Sequence, residues 1–313
     1  MRLIVTGASG FLGRNTLVRA PRDWDIVAVY HQAADFPGFV AREALTQVRP
    51  IHCDLTNAAD VQSLRATAGE VDAVLYLAAN GDPAASARDP LRDLRLNTQA
   101  VLTFLEHCPA PHMVYLSSGA VYDGARGPVT PDTPVQPRLP YAISKLASEQ
   151  YIRYFAERRQ APATYVNVRF FGAYGPYEPL RKITTRFLTA LRRGDREFVV
   201  RGDGSNLIDF MYVDDALAGL FRLLTSVDGD RRTVDLSSGH PTSIRGIVDA
   251  MARAVGDKIT VRFEGVTEEY IEFRSVDRAM IDRYQFVPGT SFEAGFERLR
   301  SFLAEHEDAA VRG

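Results

Sequence analysis

Short apolar runs alternate with helical patterns through the first half of the chain. The runs at 3–6, 26–30, 51–53, 73–77, 113–117 and 164–169 predict strands. Most of them are apolar throughout instead of alternating with polar residues, which is typical of strands that helices cover on both faces. Helical patterns lie between them, at 12–19, 58–68, 91–107 and 141–158. This order predicts βαβ units and a parallel sheet.

The pattern changes after Gly172. A loop rich in proline, glycine and aromatic residues, AYGPYEP, leads into shorter elements with helical patterns at 184–193, 214–224, 243–255 and 292–306. The expected fold class is α/β, with a Rossmann-like, doubly wound parallel sheet over residues 1–172. Residues 173–313 are expected to form mainly a smaller C-terminal α/β substrate lobe; whether some of them return to the first domain stays open. Residues 308–313 read as a frayed tail.

A glycine-rich turn, TGASGFLG, follows the first predicted strand directly and opens the first helix. Gly7 and Gly10 would let the backbone turn sharply and approach a pyrophosphate, and Gly13 would let the helix pack against the sheet. The helix N-terminus would add amide donors and a partial positive charge. The spacing is GxxGxxG, so it matches the general GxGxxG motif only loosely. We expect this turn to bind a dinucleotide through Gly7, Gly10, Phe11, Leu12 and Gly13.

The ends of the next strands indicate contacts with the adenosine half of that cofactor. No acidic residue ends the second strand to bond the ribose of NAD, and Arg14 could reach a 2′-phosphate, so the sequence favours NADP slightly over NAD. Asp54 could accept a hydrogen bond from adenine or cap the helix that starts near residue 58, and both readings stay open. The candidate cofactor-binding residues here are Tyr30, His31, Asp54, Leu55, Leu77, Ala78 and Ala79.

Tyr141 and Lys145 are four residues apart on a predicted helix, which brings both side chains to one face. An ammonium beside a phenol lowers the phenol pKa from about 10, and such a phenol can exchange a proton with a carbonyl or alcohol oxygen. Lys145 could also hold the nicotinamide ribose. Ser118 follows the fifth strand, at the sheet edge where ligands bind in such folds, and could hydrogen-bond the reacting oxygen.

With these motifs in order, the chain resembles the extended short-chain dehydrogenase/reductases of the NAD(P)-dependent nucleotide-sugar epimerase and dehydratase group. The resemblance spans nearly the whole chain, through TGASGFLG, CDL, YLAA, SSGAVY, YAISK, RFFGAYGP and IDFMYVDDA. It implies Ser118, Tyr141 and Lys145 as the catalytic triad, with Asn97 supporting the lysine through water. It also implies NAD or NADP as cofactor, a nucleoside diphosphate sugar held between the sheet edge and the second lobe, and a homodimer built from the helices of Leu91 and Tyr141.

Departures from the family pattern bear on the reaction and on the substrate. Related dehydratases carry a catalytic acid in the serine segment, where this chain has Gly119 and Ala120, so 4,6-dehydration is not expected. Gly172 follows the sixth strand where the family often has a phosphate-binding asparagine, and the later segment that usually offers an arginine reads LIDF here. The phosphates must then meet other cations. The candidate substrate-binding residues are Ser118, Gly172, Lys182, Arg186 and Arg274.

Composition and charge argue against other classes of protein. The 313 residues include 37 Lys and Arg against 39 Asp and Glu, without a run of like charge, so neither a nucleic-acid partner nor a membrane surface is expected. The two cysteines, Cys53 and Cys108, indicate no disulfide framework and no metal site. The chain has no recognisable leader and no apolar run near the ~18 residues of a membrane span. We therefore expect a cytoplasmic protein.

The sequence thus predicts an enzyme, an NAD(P)-dependent nucleotide-sugar epimerase that acts by transient oxidation at C4. An NADPH-dependent nucleotide-sugar 4-ketoreductase is the alternative. A non-catalytic dinucleotide-binding regulator and a reductase of a non-nucleotide carbonyl compound are further alternatives that fit the residues less well.

Overall fold

A computed structural model describes residues 1–159, 161–226, 231–256, 259–267 and 271–306, so the tail expected at 308–313 lies outside the described residues. The strands within these ranges are β1 (Arg2–Thr6), β2 (Asp25–Tyr30), β3 (Val48–His52), β4 (Ala73–Tyr76), β5 (His112–Leu116), β6 (Arg126–Val129), β7 (Thr164–Phe170), β8 (Ala173–Tyr174), β9 (Glu197–Arg201), β10 (Leu207–Ile208), β11 (Met211–Tyr212), β12 (Arg231–Leu236), β13 (Thr242–Ser243), β14 (Thr260–Glu264) and β15 (Glu272–Ser275).

The helices of the same ranges are α1 (Phe11–Arg19), α2 (Phe36–Arg42), α3 (Ala58–Ala68), α4 (Pro83–Arg88), α5 (Pro90–Leu94), α6 (Ala100–His107), α7 (Pro140–Arg158), α8 (Ile183–Arg193), α9 (Val213–Thr225), α10 (Ile244–Ala254), α11 (Ala279–Asp282) and α12 (Phe292–Glu305). A π-helical turn, Arg95–Gln99, joins α5 and α6 into one continuous helix. A short 3-10 helix, Gly119–Tyr122, follows β5.

The main sheet has seven strands among the described residues, in the order β12-β7-β5-β4-β1-β2-β3. Every neighbouring pair in it is parallel. The strand order reverses between β1 and β4, and ligands of such sheets bind in the crevice beyond the carboxyl ends of the strands at that point. The predicted α/β class and parallel sheet are confirmed, and each of the six predicted strands forms within a few residues of its expected bounds.

The sheet is covered on both faces because successive side chains of a strand point in opposite directions. Leu3 and Val5 of β1 enter one hydrophobic cluster, which includes apolar residues of α1 and α9. Ile4 enters another, with apolar residues of α3, α6 and α7. This accounts for the apolar runs in the sequence, since a strand covered twice has no solvent-facing side.

Two segments after residue 172 return to the sheet. Strand β12 pairs with β7 and extends the sheet at its edge. The helix expected in the second lobe at 214–224 forms as α9, but it packs against α1, to which the ion pair of Asp214 with Arg19 ties it. Its assignment to the second lobe is therefore corrected: this helix covers the sheet.

The second lobe contains α8, α10 and α12 and the parallel pair of β9 with β14. Its apolar residues, among them Phe187, Met251 and Phe296, belong to the same buried cluster as Leu3 and Val5 of the sheet. The lobe and the sheet therefore share one continuous core, which holds the lobe beside the sheet edge.

Candidate active site

The glycine-rich turn lies directly against the end of β4. Gly7 has a φ of 64°, and a Cβ on it would come within 2.8 Å of the backbone nitrogen of Ala78. A Cβ on Gly13 would overlap the carbonyl oxygen of Gly7. Gly10 is the N-cap of α1 and offers no side-chain oxygen, so the first helical amides, at Phe11 and beyond, stay available. This cradle fits a pyrophosphate, as expected for a dinucleotide site.

A crevice opens from this turn along the carboxyl edge of β1 to β4. It brings together seven of the predicted cofactor residues: Gly7, Tyr30, His31, Asp54, Leu55, Ala78 and Ala79. Its lining also includes residues that the sequence reasoning missed, namely Ser9, Val29, Gln32, Cys53, Thr56, Leu96 and Ala100. Ser9 and Thr56 lie within motifs already identified, whereas no sequence signal marked Leu96 and Ala100, which reach the crevice from a distant helix. The remaining predicted cofactor residues lie outside this lining: Gly10, Phe11, Leu12, Gly13, Leu77, Tyr141 and Lys145.

Asp54 faces the crevice and does not cap a helix. The cap of α3 is Asn57, whose side chain accepts hydrogen bonds from two amides of the first turn. Asp54 instead accepts from the amide and hydroxyl of Thr56, at 2.9 and 2.8 Å, and lies 3.8 Å from His31. Burial raises the pKa of Asp54, but these hydrogen bonds and His31 outweigh it and hold the pKa below its usual range. Of the two readings left open, the N-cap is wrong.

Arg14 is engaged by the protein itself. Its guanidinium donates to the carbonyl oxygen of Ser9 and to the carboxylate of Asp35, both at 2.9 Å. It also lies over the ring of Phe39, 4.5 Å from the centroid. The hydrogen bond from Arg14 holds the pKa of Asp35 below its usual range. The charge of Arg14 is thus already matched by a carboxylate.

Ser118, Tyr141 and Lys145 come together where β5 ends and α7 begins. Ser118 caps the 3-10 helix by accepting from the amide of Ala120, and its hydroxyl interacts with the phenol of Tyr141. Lys145 is 2% exposed, and its Nζ donates to the carbonyl oxygen of Leu116 at 2.7 Å. The same ammonium lies 6.0 Å from the ring centroid of Tyr141. One helix face therefore presents a phenol and a buried cation beside the serine.

The pKa values of this group differ from the sequence expectation. Burial raises the pKa of Tyr141 above 10, while the hydrogen bond from Ser118 acts in the opposite direction. Burial also lowers the pKa of Lys145 to about 8, against the negative charges of Asp93 and Glu149. The lowering of the phenol pKa that we expected from Lys145 is therefore wrong for this structure, because desolvation of the phenolate dominates. Tyr141 is thus a phenol at neutral pH in this structure, and acting as a base requires positive charge close to it.

Asn97 lies behind the triad and makes no hydrogen bond to Lys145 among the described contacts. Its side-chain oxygen accepts from the amide of Asn80 at 2.7 Å, and its Nδ2 donates to Asp93 at 2.9 Å. Asp93 and Asn80 were missed by the sequence reasoning, because a single aspartate on an amphipathic helix usually faces solvent. The support of Lys145 by Asn97 through water stays a prediction.

A buried ion pair contacts both ends of the serine segment, residues 117–122. Glu149 of α7 binds the guanidinium of Arg169 from β7, with an N–O distance of 2.9 Å. The same carboxylate accepts a hydrogen bond of 2.5 Å from the hydroxyl of Ser117, next to Ser118. The guanidinium of Arg169 lies 4.9 Å from the ring centroid of Tyr122, at the end of the segment. Helix, strand and serine segment are thus joined at one point.

Phe171 occupies the space that a side chain at Gly119 would need. A Cβ on Gly119 would lie 3.2 Å from the Phe171 ring. Gly172, the predicted substrate residue that follows, has a φ of 135° and accepts a hydrogen bond from the amide of Met211. An acidic side chain at position 119 would therefore require Phe171 to move.

Lys182 is the exposed N-cap residue of α8. Its side chain keeps contact with solvent, yet the surrounding protein lowers its pKa, with Glu178 acting in the opposite direction. Glu178 is buried and accepts hydrogen bonds from Thr184 and Thr185. Arg181, next to Lys182, donates to the carbonyl oxygen of Gly81, which lies in the loop after β4. Arg181 therefore connects the segment before α8 to the loop after β4.

The other two predicted substrate cations differ in their engagement. Arg186 donates to the carbonyl oxygen of Val199 and lies over the ring of Phe198, which directs it toward β9. Arg274 lies on β15 and is exposed, with no hydrogen bond or ion pair among the described residues. Its neighbour Phe273 packs against Phe171, near the serine segment. Successive side chains of a strand point to opposite faces, so the contact of Phe273 does not place Arg274 at the serine segment, and its role toward substrate stays a prediction.

In the described part of the chain, no helix has the length and apolarity needed to span a bilayer. The same residues include no group of three or more His, Cys, Asp or Glu side chains arranged to hold a metal ion.

Comparison with known proteins agrees with this site. A dTDP-glucose 4,6-dehydratase of Mycobacterium tuberculosis is 32% identical to this chain, over 98% of this chain and 94% of its own length. A UDP-glucose 4-epimerase of Mycolicibacterium smegmatis is 27% identical over 82% and 83% of the two chains. The relatives therefore include both reaction types.

Solved structures repeat the whole architecture. The UDP-glucuronic acid 4-epimerase of Bacillus cereus, in complex with UDP-glucuronic acid and NAD, superposes with a TM-score of 0.86 at 23% identity over 97% of this chain and 99% of that chain. MoeE5, in complex with UDP-glucuronic acid and NAD, has a TM-score of 0.85 at 25% identity over 97% and 99%. The profile of the NAD dependent epimerase/dehydratase family matches residues 3–236. The chain belongs to the NAD-dependent epimerase/dehydratase family, within the extended short-chain dehydrogenases/reductases.

Proposed function

We propose that the protein is a nucleotide-sugar epimerase that inverts C4 by transient oxidation. The observation that carries the proposal is the grouping of Ser118, Tyr141 and Lys145 at the carboxyl edge of the sheet, next to the dinucleotide crevice. The 4-epimerases among the relatives and structural neighbours support it.

Oxidation at C4 removes a proton from the hydroxyl oxygen and a hydride from the carbon that bears it. Bound NAD would supply the acceptor, and later the donor, of the hydride. Tyr141 takes the proton of the C4 hydroxyl while the C4–H bond breaks, and Ser118 donates a hydrogen bond to the same oxygen. Burial raises the pKa of Tyr141. The positive charges of Lys145 and of the nicotinamide ring of bound NAD⁺ would favour its phenolate form, which is the base of the proposal. Once the 4-keto sugar has rotated in the site, its other face would receive the hydride, and Tyr141 gives the proton back to the C4 oxygen.

NAD is the cofactor of the proposal, although the absence of an acid at the end of β2 favoured NADP. The cation that could have met a 2′-phosphate, Arg14, is buried and paired with Asp35. Binding a 2′-phosphate there would require this pair to break. The family description and the NAD held by the structural neighbours point the same way.

The proposal excludes 4,6-dehydration, despite the dehydratases among the relatives. That reaction needs an acid and a base in addition to the triad. The serine segment has Gly119 and Ala120 at the corresponding positions, and Phe171 fills the space beside Gly119. Incubation with dTDP-glucose should therefore yield no product that has lost water, as mass spectrometry would show.

A 4-ketoreductase that uses NADPH is the second candidate, because β2 ends at Tyr30 with no acid directly after it. Denaturing the purified protein and identifying the released dinucleotide by mass separates the two. Tightly retained NAD⁺ supports an epimerase, which regenerates its cofactor in each turnover. A protein that is empty and stabilised mainly by NADPH supports the reductase.

The test of the proposed site is Tyr141→Phe. The variant should lose turnover of a UDP-sugar while NAD still raises its melting temperature as in the wild type, because the phenol hydroxyl acts in the chemistry and not in the pyrophosphate cradle. Unchanged turnover in this variant would refute the assignment.

The proposed substrate class is a nucleoside diphosphate sugar, which the UDP-sugars bound by the structural neighbours support. The exposed cations Lys182 and Arg274 are the residues proposed to meet its phosphates. Competition by UDP, GDP, CDP and dTDP against substrate identifies the base. Failure of all four to compete would favour the remaining alternatives, a non-catalytic dinucleotide-binding regulator or a reductase of a non-nucleotide carbonyl compound.

The proposed assembly is a homodimer through α5 and α7. These helices pack side by side and expose large apolar side chains along one surface. The residues are Leu91, Leu94, Ile143, Tyr151 and Tyr154, from 42% to 69% exposed.

A further inference from the structure

Asp93 is a fully buried carboxylate, 0% exposed, directly behind the catalytic helix. Its Oδ1 accepts hydrogen bonds from the side-chain amides of Asn80 and Asn97, both at 2.9 Å. Its Oδ2 accepts one of 2.7 Å from the hydroxyl of Ser144, the residue before Lys145. All three side chains donate hydrogen bonds to Asp93. An ionised carboxylate requires such donors, since it can only accept hydrogen bonds.

All three partners of Asp93 are neutral groups. No arginine or lysine forms an ion pair with it among the residues that the structure describes. The other buried carboxylate near Lys145, that of Glu149, differs because Arg169 pairs with it directly. A buried charge without a paired counter-charge is costly, so a cation nearby is expected to compensate Asp93.

Lys145 is the cation that the geometry points to, because it is buried like Asp93 and directly follows Ser144, whose hydroxyl binds Asp93. The titratable groups that face it are Asp93 from α5, Glu149 and Tyr141 from its own helix, and Tyr115 from β5, whose ring centroid lies 5.0 Å from Nζ. The two carboxylates favour the ammonium form, whereas burial opposes it. Since Arg169 already neutralises Glu149, Asp93 is the carboxylate whose charge Lys145 balances.

We propose that Asp93 is a positioning residue, which keeps the buried Lys145 ammonium charged and fixes α7 against the helix of Asn97. The proposal rests on the proposed function in so far as Lys145 and Tyr141 act in catalysis. It goes beyond the triad by assigning a role to a carboxylate that touches neither substrate nor cofactor.

Two further contacts connect Asp93 to the helix geometry. Thr98 donates to the carbonyl oxygen of Ser144 at 3.1 Å, and Ser148 donates to the carbonyl oxygen of Asn97 at 3.2 Å. Together with the bond between Asp93 and Ser144, they hold the two helices in one register. This register places Tyr141 and Lys145 opposite Ser118.

The sequence makes a direct measurement practicable, because it contains only three lysines: Lys145, Lys182 and Lys258. Protein labelled with ¹³C at the lysine Cε gives one NMR signal for each, and Lys145→Arg assigns the signal of interest. Titration of that signal measures the ionisation of the Lys145 ammonium without any substrate.

The test variant is Asp93→Asn, which keeps the shape of the side chain and removes its charge. The midpoint of Lys145 should lie near pH 8 in the wild type and fall by about one pH unit in this variant, because an opposite charge favours the ammonium. The matched control is Asp249→Asn, which removes one charge from an exposed position on α10 and should leave the midpoint unchanged.

An unchanged Lys145 midpoint in Asp93→Asn would overturn the proposal, since a purely structural aspartate alters stability and not this titration. If the variant fails to fold, the wild type decides. A wild-type midpoint of about 5–6, as for a buried lysine without a counter-charge, would overturn the proposal as well.

Turnover provides the second readout. At pH 8 a fall of one unit reduces the charged fraction of Lys145 about fivefold, so kcat of Asp93→Asn should fall about fivefold with little change in KM. If the proposed function is wrong, the wild type shows no turnover while the lysine titration still behaves as expected. If only the positioning role is wrong, both proteins turn over with the same pH profile.

Discussion

At Lys145, the folded chain keeps an ammonium almost completely out of water and still leaves its pKa at about 8. Desolvation alone would take a buried lysine lower, and Asp93 and Glu149 offset part of it. The balance leaves the group charged at neutral pH and close to titrating. The ionisation of Lys145 is therefore set by side chains of two segments, Glu149 on its own helix α7 and Asp93 on α5.

This balance predicts the alkaline limit of activity. Lys145 is charged below its pKa, so its support of the Tyr141 phenolate is present at lower pH and is lost as pH rises through about 8. A pH profile of kcat/KM, which reports on the free enzyme, should fall with a midpoint of about 8. Lys145→Arg, which stays charged throughout, should remove this limb at a lower level of activity. A wild-type profile that stays flat beyond pH 9 would contradict the account.

Gly7 shows the same dependence of function on a single position. Its φ of 64° is unfavourable for other residues, and a Cβ would meet the backbone of Ala78. Gly7→Ala should destabilise the protein by about 1–3 kcal/mol and abolish the rise in melting temperature that NAD gives.

The matched control for Gly7→Ala is Gly38→Ala. Gly38 lies inside α2 with no atom within 4 Å of a Cβ, so alanine there should raise stability by about 0.5–1 kcal/mol and keep the NAD response. Calorimetry with and without NAD measures both variants. A normal NAD response in Gly7→Ala would exclude this turn as the pyrophosphate site.

At the scale of elements, the sequence predicted the central strands and their helices well because burial on both faces leaves continuous apolar runs. Strand β12 was not identified, since its sequence RRTVDL is charged over its first half and only its pairing with β7 makes it a strand. Helix α9 was identified but assigned to the second lobe, because an amphipathic pattern gives no indication of which surface it will cover.

In the candidate site too, local motifs could be predicted from the sequence, whereas contacts that depend on the fold could not. Motifs that are continuous in the sequence, such as the glycine turn and the serine segment, were found and lie together. Asp93 was not found, because its partners Asn80 and Ser144 come from two other segments and only the fold brings them within hydrogen-bond distance. Contacts between distant segments carry no local pattern.

The pair of Glu149 with Arg169 joins α7 to β7 and predicts a large effect on stability. Glu149→Gln leaves the guanidinium buried without its counter-charge and should cost about 3–5 kcal/mol in chemical unfolding. The same substitution at Glu297, whose pair with Arg300 is exposed on α12, should change stability by less than about 1 kcal/mol. Equal losses for the two variants would show that the buried pair does not anchor α7.

The whole molecule is built around a single buried cluster that runs from the sheet into the second lobe. Because the two parts share this core, the cleft between them is fixed by packing as well as by the contact of Arg181 with Gly81. Helices α5 and α7 carry five exposed large apolar residues.

That surface predicts dimerisation. Leu91 and Ile143 are 69% and 48% exposed on α5 and α7, and burying them against a second copy would remove apolar area from water. The wild type should sediment as a dimer, and the double variant Leu91→Asp, Ile143→Asp as a monomer. Val287→Asp, at a position 65% exposed elsewhere, is the control that should remain a dimer. A wild type that sediments as a monomer would contradict the proposed assembly.

The central claim is tested most directly with UDP-glucose and UDP-glucuronic acid that carry deuterium at C4. Transient oxidation at C4 with hydride return predicts a 4-epimeric product that keeps the deuterium at C4, formed without added cofactor and absent with Tyr141→Phe. Epimeric product that has lost the deuterium to solvent, or conversion that requires added NADPH, would contradict the account.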